Sequence, residues 1–331
     1  IGHLGDRRDL RAAVILTPTV TAVCMCLLGV APAYGAIAVL LMTAGVSSAV
    51  LHSLAPVVTG RISGLRLGFG MGFWMVGGEL GRTLGPILLV SALAVFGMAG
   101  LPWLAVGGVG ASVLLALGMR GTAPERTTKA PSDGAGPQWR TMRGFFLPLT
   151  GVVISRASMM AAFTTFLPVF LREEGVSLWW AGASLSVLEA AGVAGALMGG
   201  SASDVLGRKN VVAASLLVTP VLMVAFVFVA GWGRLSLLLA LGFAGLMATP
   251  VIMAWVQESF PENRALANGT YMALNFVARA IAVVLVGGLA DGIGMRRAFL
   301  VCAVLGVFGT PFVFRLPGRN GRYMGGSRGT A

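Results

Sequence analysis

Charge is what this chain has least of: 24 Lys or Arg and 12 Asp or Glu make up only 11% of its 331 residues. A soluble protein carries roughly 25%, so there is too little polar surface to coat a water-exposed domain. Disorder is excluded for the opposite reason, because a chain that is 56% apolar with a mean hydropathy of +0.87 has ample surface to bury. Cysteine and histidine are also rare, at 3 and 2 residues. Cys24, Cys26 and Cys302 lie inside apolar runs, which argues against a disulfide framework or a zinc site and leaves structural thiols. No Gly-Lys-Ser/Thr phosphate loop occurs, so ATP drive is not encoded, and the His and acid spacing of a membrane metalloprotease is missing too. No enzyme activity, cofactor or metal is expected. The 48 glycines follow no Gly-X-Y period, which excludes collagen and points to helices packed closely on small residues.

What is present is a series of long apolar runs. A helix crossing the ~30 Å hydrocarbon core needs about 20 such residues. Ten segments qualify, at residues 12–30, 33–56, 68–97, 101–119, 144–171, 179–203, 211–231, 235–257, 267–290 and 298–315. The alternating short strands of a transmembrane barrel are not seen, so the fold class is an all-α polytopic membrane protein. Its net charge of +12 is divided among the short connections rather than gathered in one stripe, which reads as topology and not as nucleic-acid binding. With the first residues taken as cytoplasmic, 17 of the 24 basic residues fall on that side, 4 on the other and 3 within spans. This bias predicts a multi-pass protein of the plasma membrane with both termini cytoplasmic, Arg296 and Arg297 being a local exception.

One long connector, residues 120–143, is rich in Pro, Gly and charge. It divides the chain into a four-span bundle at 1–119 and a six-span bundle at 144–315, followed by a tail at 316–331. The imbalance coincides with an internal repeat. Gly2, Asp6 and Arg11 recur at the same offsets as Gly200, Asp204 and Lys209, 198 residues later, each set in a short basic loop ahead of a span. The second loop follows two spans of its own half and the first follows none. Two further spans are therefore expected upstream, completing twelve, in a reading frame longer by about 45 to 80 residues.

These loops resemble the signature loop between the second and third helices of each half in the major facilitator superfamily. Gly200-x-x-x-Asp204-x-x-Gly207-Arg208-Lys209 fits the form in full, whereas Asp9 stands where the first copy usually has Gly. The resemblance implies a two-bundle fold in which Asp6, Arg7, Asp204, Arg208 and Lys209 form a gating clamp at the cytoplasmic face. Gly77-Gly78-Glu79-Leu80-Gly81-Arg82-Thr83-Leu84-Gly85-Pro86 is similar to the antiporter motif of the family's fifth helix, although the motif's later paired glycines are absent. Gly77, Gly81 and Gly85 recur every four residues, so they share a face open to a neighbouring helix, and Pro86 permits a bend. The run from His52 to Pro56, Gly85-Pro86, Arg156 and Thr165 to Pro168 look like the fosmidomycin-resistance branch of drug exporters.

Five ionisable residues lie deep within spans: Glu79, Arg82, Arg156, Glu189 and Arg279. Each costs roughly 2.5 to 3.5 kcal/mol even on the gentlest insertion scale, so each is a functional candidate lining a polar cavity. Glu79 and Arg82, three apart, are placed to form either a structural ion pair or a proton-exchanging acid with its tuning cation. Glu189 has no base on its own span and is expected to pair with Arg156 or Arg279. Glu79 and Glu189, with His52 as a relay near a span end, are the proton-coupling candidates. Arg82, Arg156 and Arg279 present forked donors suited to phosphonate, phosphate or carboxylate, and Trp74, Phe163, Phe166, Tyr271 and Phe276 are candidates for an apolar wall. Interhelical structural pairing and lipid-facing packing are the competing readings of these two groups. Trp179 and Trp180 fit an interfacial belt.

The expected activity is secondary transport, the proton-coupled efflux of a small anionic or amphiphilic compound by alternating access, in a monomer whose partners are the bilayer, the substrate and protons. An organic-anion facilitator or importer without proton coupling, and a non-transporting membrane protein, are the alternatives.

Overall fold

The computed structural model describes residues 11–120 and 139–317, and the regular structure among them is entirely helical. In chain order the helices are α1 Arg11–Leu27, α2 Tyr34–Ser63, α3 Leu67–Phe96, α4 Ala105–Gly118, α5 Trp139–Ala161, α6 Leu167–Glu173, α7 Leu178–Leu206, α8 Arg208–Phe228, α9 Trp232–Leu246, α10 Ala248–Ser259, α11 Arg264–Ile293, α12 Met295–Val307 and α13 Thr310–Arg315. Nine stretches among the described residues are long and apolar enough to cross a bilayer. Helix α3, 30 residues long, covers the remaining expected span. Helices α2, α3 and α11 each have 30 residues, or about 45 Å, and so reach well beyond the hydrocarbon core.

Proline governs where spans are interrupted. It lacks the N–H that would bond the carbonyl four residues back, and its ring crowds that carbonyl. Pro250 lies four residues after Leu246, where α9 ends, and Pro311 four after Val307, where α12 ends. Pro168 stands four after Thr164, inside a π turn at Ala162–Phe166 that joins α5 to α6. Pro18, Pro56, Pro148 and Pro220, in contrast, sit inside unbroken helices.

The repeat seen in the loops extends to the helices. The span Arg11–Val30 is matched by Arg208–Phe228, Leu67–Phe96 by Arg264–Ile293 and Met98–Gly118 by Met295–Arg315, at offsets of 197 or 198 residues. Tyr34, which opens α2, lies 198 residues before Trp232, which opens α9. On this register Arg82 of α3 and Arg279 of α11 are equivalent positions, a relation not drawn from the sequence.

Two compact units result. Residues 11–58, 81–120 and 260–270 form the first, and residues 59–80, 139–259 and 271–317 the second. Within the first, α1 packs chiefly on α4, where the Thr19 hydroxyl donates to Ser112 Oγ at 2.7 Å. Within the second, α7 packs on α9 through backbone contact. A Cβ at Gly195 would lie 2.1 Å from the Phe243 carbonyl oxygen, and one at Gly242 would lie 2.0 Å from that of Leu188. Phe163, Phe170, Phe226 and Phe299 form an aromatic cluster in this unit, with centroid separations from 4.8 to 6.0 Å, and Arg234 lies 5.4 Å from two of the rings.

Candidate functional site

The turn between α7 and α8 is built by Gly207, whose φ of +89° suits a residue without Cβ. It sets Asp204 and Arg208 side by side, with Arg208 Nη2 2.7 Å from Asp204 Oδ1. The Asp204 carboxylate accepts hydrogen bonds from the Gly68 N–H at 2.8 Å and the Phe69 N–H at 2.9 Å. These are orphan donors in the first turn of α3, where the helix dipole also favours a negative charge. Position 68 admits no side chain, because a Cβ would fall 2.2 Å from the Gly200 carbonyl oxygen and against Arg208 and Ser203. Arg208 then grips Glu258, at the end of α10, through Nε at 3.2 Å and Nη2 at 2.6 Å, and donates to the Ser203 hydroxyl. Lys209 donates to the Phe314 carbonyl at 3.2 Å, near the C-terminus of α13. Glu258 was not foreseen; the one available signal was an acid beside a basic connection. Asp6 and Arg7, expected as the first copy of this loop, lie outside the described residues.

Arg156 is buried on α5. Its Nη1 donates to the Gly245 carbonyl at 3.1 Å and its Nη2 to Thr249 Oγ1 at 2.8 Å, so it spans the break between α9 and α10. The wholly buried phenol of Tyr271 on α11 lies within electrostatic range of this guanidinium. Eight residues further along both helices there is a second rung. Arg279 Nη2 donates to Thr164 Oγ1 at 3.0 Å, and the Thr164 hydroxyl donates in turn to the Met160 carbonyl at 2.7 Å. Eight helical residues correspond to about 12 Å. Two guanidinium groups, one from each helix, are therefore held along one track by neutral oxygens. Among the described residues neither forms an ion pair, which corrects the expectation that Glu189 pairs with Arg156 or Arg279. The physical reason is that the interruption of the hydrogen-bond ladder after Leu246 and the π turn at Thr164 provide oxygen acceptors that supplant a carboxylate.

The remaining candidates are scattered in environment. Glu79 is wholly buried on α3, while Arg82, one turn on, is exposed. Glu189 is half-buried on α7, as Trp74 is on α3, and each acid is engaged in contacts. Phe163 is packed inside the aromatic cluster and is 1% exposed, so in this structure it is core, and Phe276 is 54% exposed on α11. The Phe166 ring lies against Gly287, 3.2 Å from where a Cβ would stand. The His52 ring is tied to its own helix by Nδ1, 2.9 Å from the Ser48 carbonyl. Close helix approach does not occur where it was expected: a Cβ at Gly77, Gly81 or Gly85 would meet no atom within 4 Å among the described residues. The tight contacts of α3 lie earlier, at Gly68 and Gly72, where a Cβ at Gly72 would stand 2.7 Å from the Ala196 carbonyl oxygen. Helix α3 continues unbroken through Pro86. The basic exception in the topology also has a local cause. Arg296 lies 3.7 Å from Glu174 and donates to the Val227 carbonyl at the end of α8, and Arg234 shares the same carboxylate at 3.3 Å.

Known proteins share both the sequence pattern and the fold. The chain is 24% identical over 322 residues to the Fosmidomycin resistance protein of Escherichia coli (strain K12), across 95% of this chain and 79% of that one. It is 23% identical over 331 residues to the uncharacterised MFS-type transporter YfnC of Bacillus subtilis (strain 168), across 96% and 79%. The crystal structure of the human organic anion transporter MFSD10 (TETRAN) has a TM-score of 0.80 at 17% identity, covering 94% of this chain and 79% of that one. That of the E. coli fucose:proton symporter FucP has a TM-score of 0.75 at 16% identity, covering 96% and 86%. At such identities the two structures speak for the fold alone. A family model described as the Major Facilitator Superfamily matches residues 1–230 and, overlapping them, residues 190–329. Because that match reaches nearly the whole chain, the chain belongs to the Major Facilitator Superfamily of multi-pass membrane transporters.

Proposed function

We propose that this chain is a proton-driven secondary exporter of small anionic or amphiphilic compounds. It works by alternating access as a monomer in the plasma membrane, with its first and last residues on the cytoplasmic side. The observation that carries the anionic part is Arg156, a buried guanidinium whose partners are a carbonyl and a hydroxyl. Two of its five N–H donors are used in those bonds, and the charge is not neutralised by an acid among the described residues. A phosphonate, phosphate or carboxylate arriving there supplies both the counter-charge and the acceptors. Arg279 offers a second such group, with Tyr271 and Phe166 on the same helical track. The likeness to the Fosmidomycin resistance protein, named for resistance to a drug, supports export.

Proton coupling falls to Glu79 and Glu189, with His52 as an accessory relay and Arg82 as the cation that tunes Glu79. A carboxylate on a span changes protonation as its surroundings pass from dry to wet, which is the property coupling requires. Asp204, Arg208 and Lys209 hold the gating turn, and by the repeat Asp6 and Arg7 take the equivalent part in the other half.

The test is a reconstituted assay with a panel of organic anions. Arg156→Gln is expected to raise KM for anionic compounds about tenfold or more, the loss of a charge-assisted hydrogen bond. Glu79→Gln combined with Glu189→Gln is expected to abolish accumulation against a gradient while leaving substrate exchange intact. Uphill transport that survives the double substitution overturns the coupling assignment and favours the facilitator or importer, which uses the same arginines. No flux of any compound favours the non-transporting alternative.

A further inference from the structure

Helix α2 contains a gap that its own backbone cannot close. Pro56 has no N–H to offer the His52 carbonyl, and its ring pushes that carbonyl off the helix axis. Yet α2 continues unbroken from Tyr34 to Ser63. The missing donor comes from another helix: Asn268 Nδ2, in the second turn of α11, donates to the His52 carbonyl at 2.9 Å and to that of Ser53 at 3.3 Å. Asn268 is wholly buried, beside the equally buried Ala267. Its amide orientation follows from chemistry, since two facing carbonyls require the NH2 end. The other end of the amide, Oδ1, is buried without a hydrogen-bond partner among the described residues. A fully buried amide that leaves its own acceptor unsatisfied is held there by the need of the α2 backbone. The repeat provides a contrast: in the matching span, Pro250 coincides with an interruption of the hydrogen-bond ladder at Met247, between α9 and α10, where the backbone dihedrals remain helical.

We propose that Asn268 is a positioning residue that closes the backbone of α2 opposite Pro56 from outside. A repair made by one helix on another is released whenever the first turns of α11 withdraw from α2. Helix α2 is then straight with Asn268 docked and free to bend at Pro56 without it, and Oδ1 takes a donor in the second arrangement. The use of this joint in a transport cycle rests on the transporter reading; the pairing itself does not.

Hydrogen–deuterium exchange on the purified full chain in lipid nanodiscs tests the pairing. Asn268→Ala is expected to speed exchange of α2 amides at residues 53–60 about tenfold, because those amides open once the bend is released. Adding Pro56→Ala restores the backbone donor, and the double variant is expected to return close to the wild-type rate. Exchange unchanged by Asn268→Ala, or not restored by Pro56→Ala, overturns the pairing. Should Asn268→Ala alone fail to fold, recovery of folded protein in the double variant supports the proposal and continued failure overturns it. For the cycle, the double variant, whose α2 cannot open, is expected to lose about fivefold or more in turnover with KM unchanged. Wild-type turnover in that variant means a static repair and overturns the role in the cycle. Absence of transport in the wild type instead refutes the transporter reading, and the exchange arm still decides the pairing.

Discussion

Spans Arg11–Val30 and Arg208–Phe228 are repeat counterparts of similar length and high hydropathy, yet 17% of the first window is buried against 56% of the second. The same holds for Tyr34–Ser63 at 11% against Trp232–Ser259 at 67%, and for Met98–Gly118 at 11% against Met295–Arg315 at 44%. Hydropathy qualifies a helix for lipid but does not say how much of it meets protein. In the second unit, α5 and α7 cover the counterparts: Met160 fills the space beside Gly245, and Gly192, Gly195 and Gly199 receive the backbone and side chains of α9 and its junction with α10. Between α1 and α2 of the first unit the described residues leave a groove of about 400 Å³ lined by Leu16, Thr17, Met42, Thr43 and Ser47. Close glycine approach to backbone occurs in both regions, at Gly195 and Gly242 in the second and at Gly108 in the first, where a Cβ would stand 2.8 Å from the Pro18 carbonyl oxygen, whereas Gly81 and Gly85 are open.

Glycine substitution tests that difference most strongly. Gly195→Val and Gly200→Val place a side chain where a carbonyl oxygen already stands, at 2.1 Å and 2.2 Å from the added Cβ. Neither backbone can move aside alone, so a loss of about 3 kcal/mol or more is expected, read as a collapse of the monodisperse peak in detergent. Gly81→Ala and Gly85→Ala should leave thermal stability unchanged or raise it by up to about 1 kcal/mol, the helix-propensity gain. Equal damage at both sets would erase the contrast.

Next in size is Arg208→Ala. It strands Asp204 and Glu258, and the loss of a largely buried ion pair is worth about 3 kcal/mol, moderated here because the Glu258 side chain is 45% exposed. Thermal melting should show this loss, and Arg208→Lys should recover only part because one ammonium cannot hold both carboxylates in the same fork. Full recovery by Lys would reduce the site to a simple point charge.

The smallest effect is expected in the first unit. Pro18 leaves the Val14 carbonyl without its donor, and the Thr17 hydroxyl bonds it at 2.7 Å. Thr17→Val keeps the shape and removes the bond, for a loss of about 1 kcal/mol. A loss comparable to Arg208→Ala would mean the first unit is as tightly held as the second.

Much of the turn between α7 and α8 was legible in the sequence, since Gly200, Asp204, Gly207, Arg208 and Lys209 form a local pattern. Glu258 was not, because it comes from 50 residues away and an isolated acid carries no spacing signal. The cost of charge in lipid singles out the deep arginines in the sequence, but not the groups they bond. Sequence suggested carboxylates, whereas the acceptors are a backbone carbonyl and threonine hydroxyls that exist as sites only where a helix is interrupted. The glycine motif in α3 misled for a related reason: periodicity identifies a face but not the neighbour, and the neighbour arrives one to three turns earlier.

Hydrophobic length and the distribution of charge sufficed to define a polytopic helical protein, nine of its ten expected spans and its repeat, because the bilayer imposes those requirements on each segment separately. Proline shows where that local authority ends. Every internal proline removes one backbone donor whatever surrounds it, so sequence alone locates the gaps. Whether a gap becomes an interruption of the ladder, as before Pro250, or is healed, as by Thr17 or Asn268, depends on which side chain packing brings within hydrogen-bonding reach of the orphaned carbonyl. For His52 that group lies more than two hundred residues away along the chain, a proximity that only the tertiary structure creates.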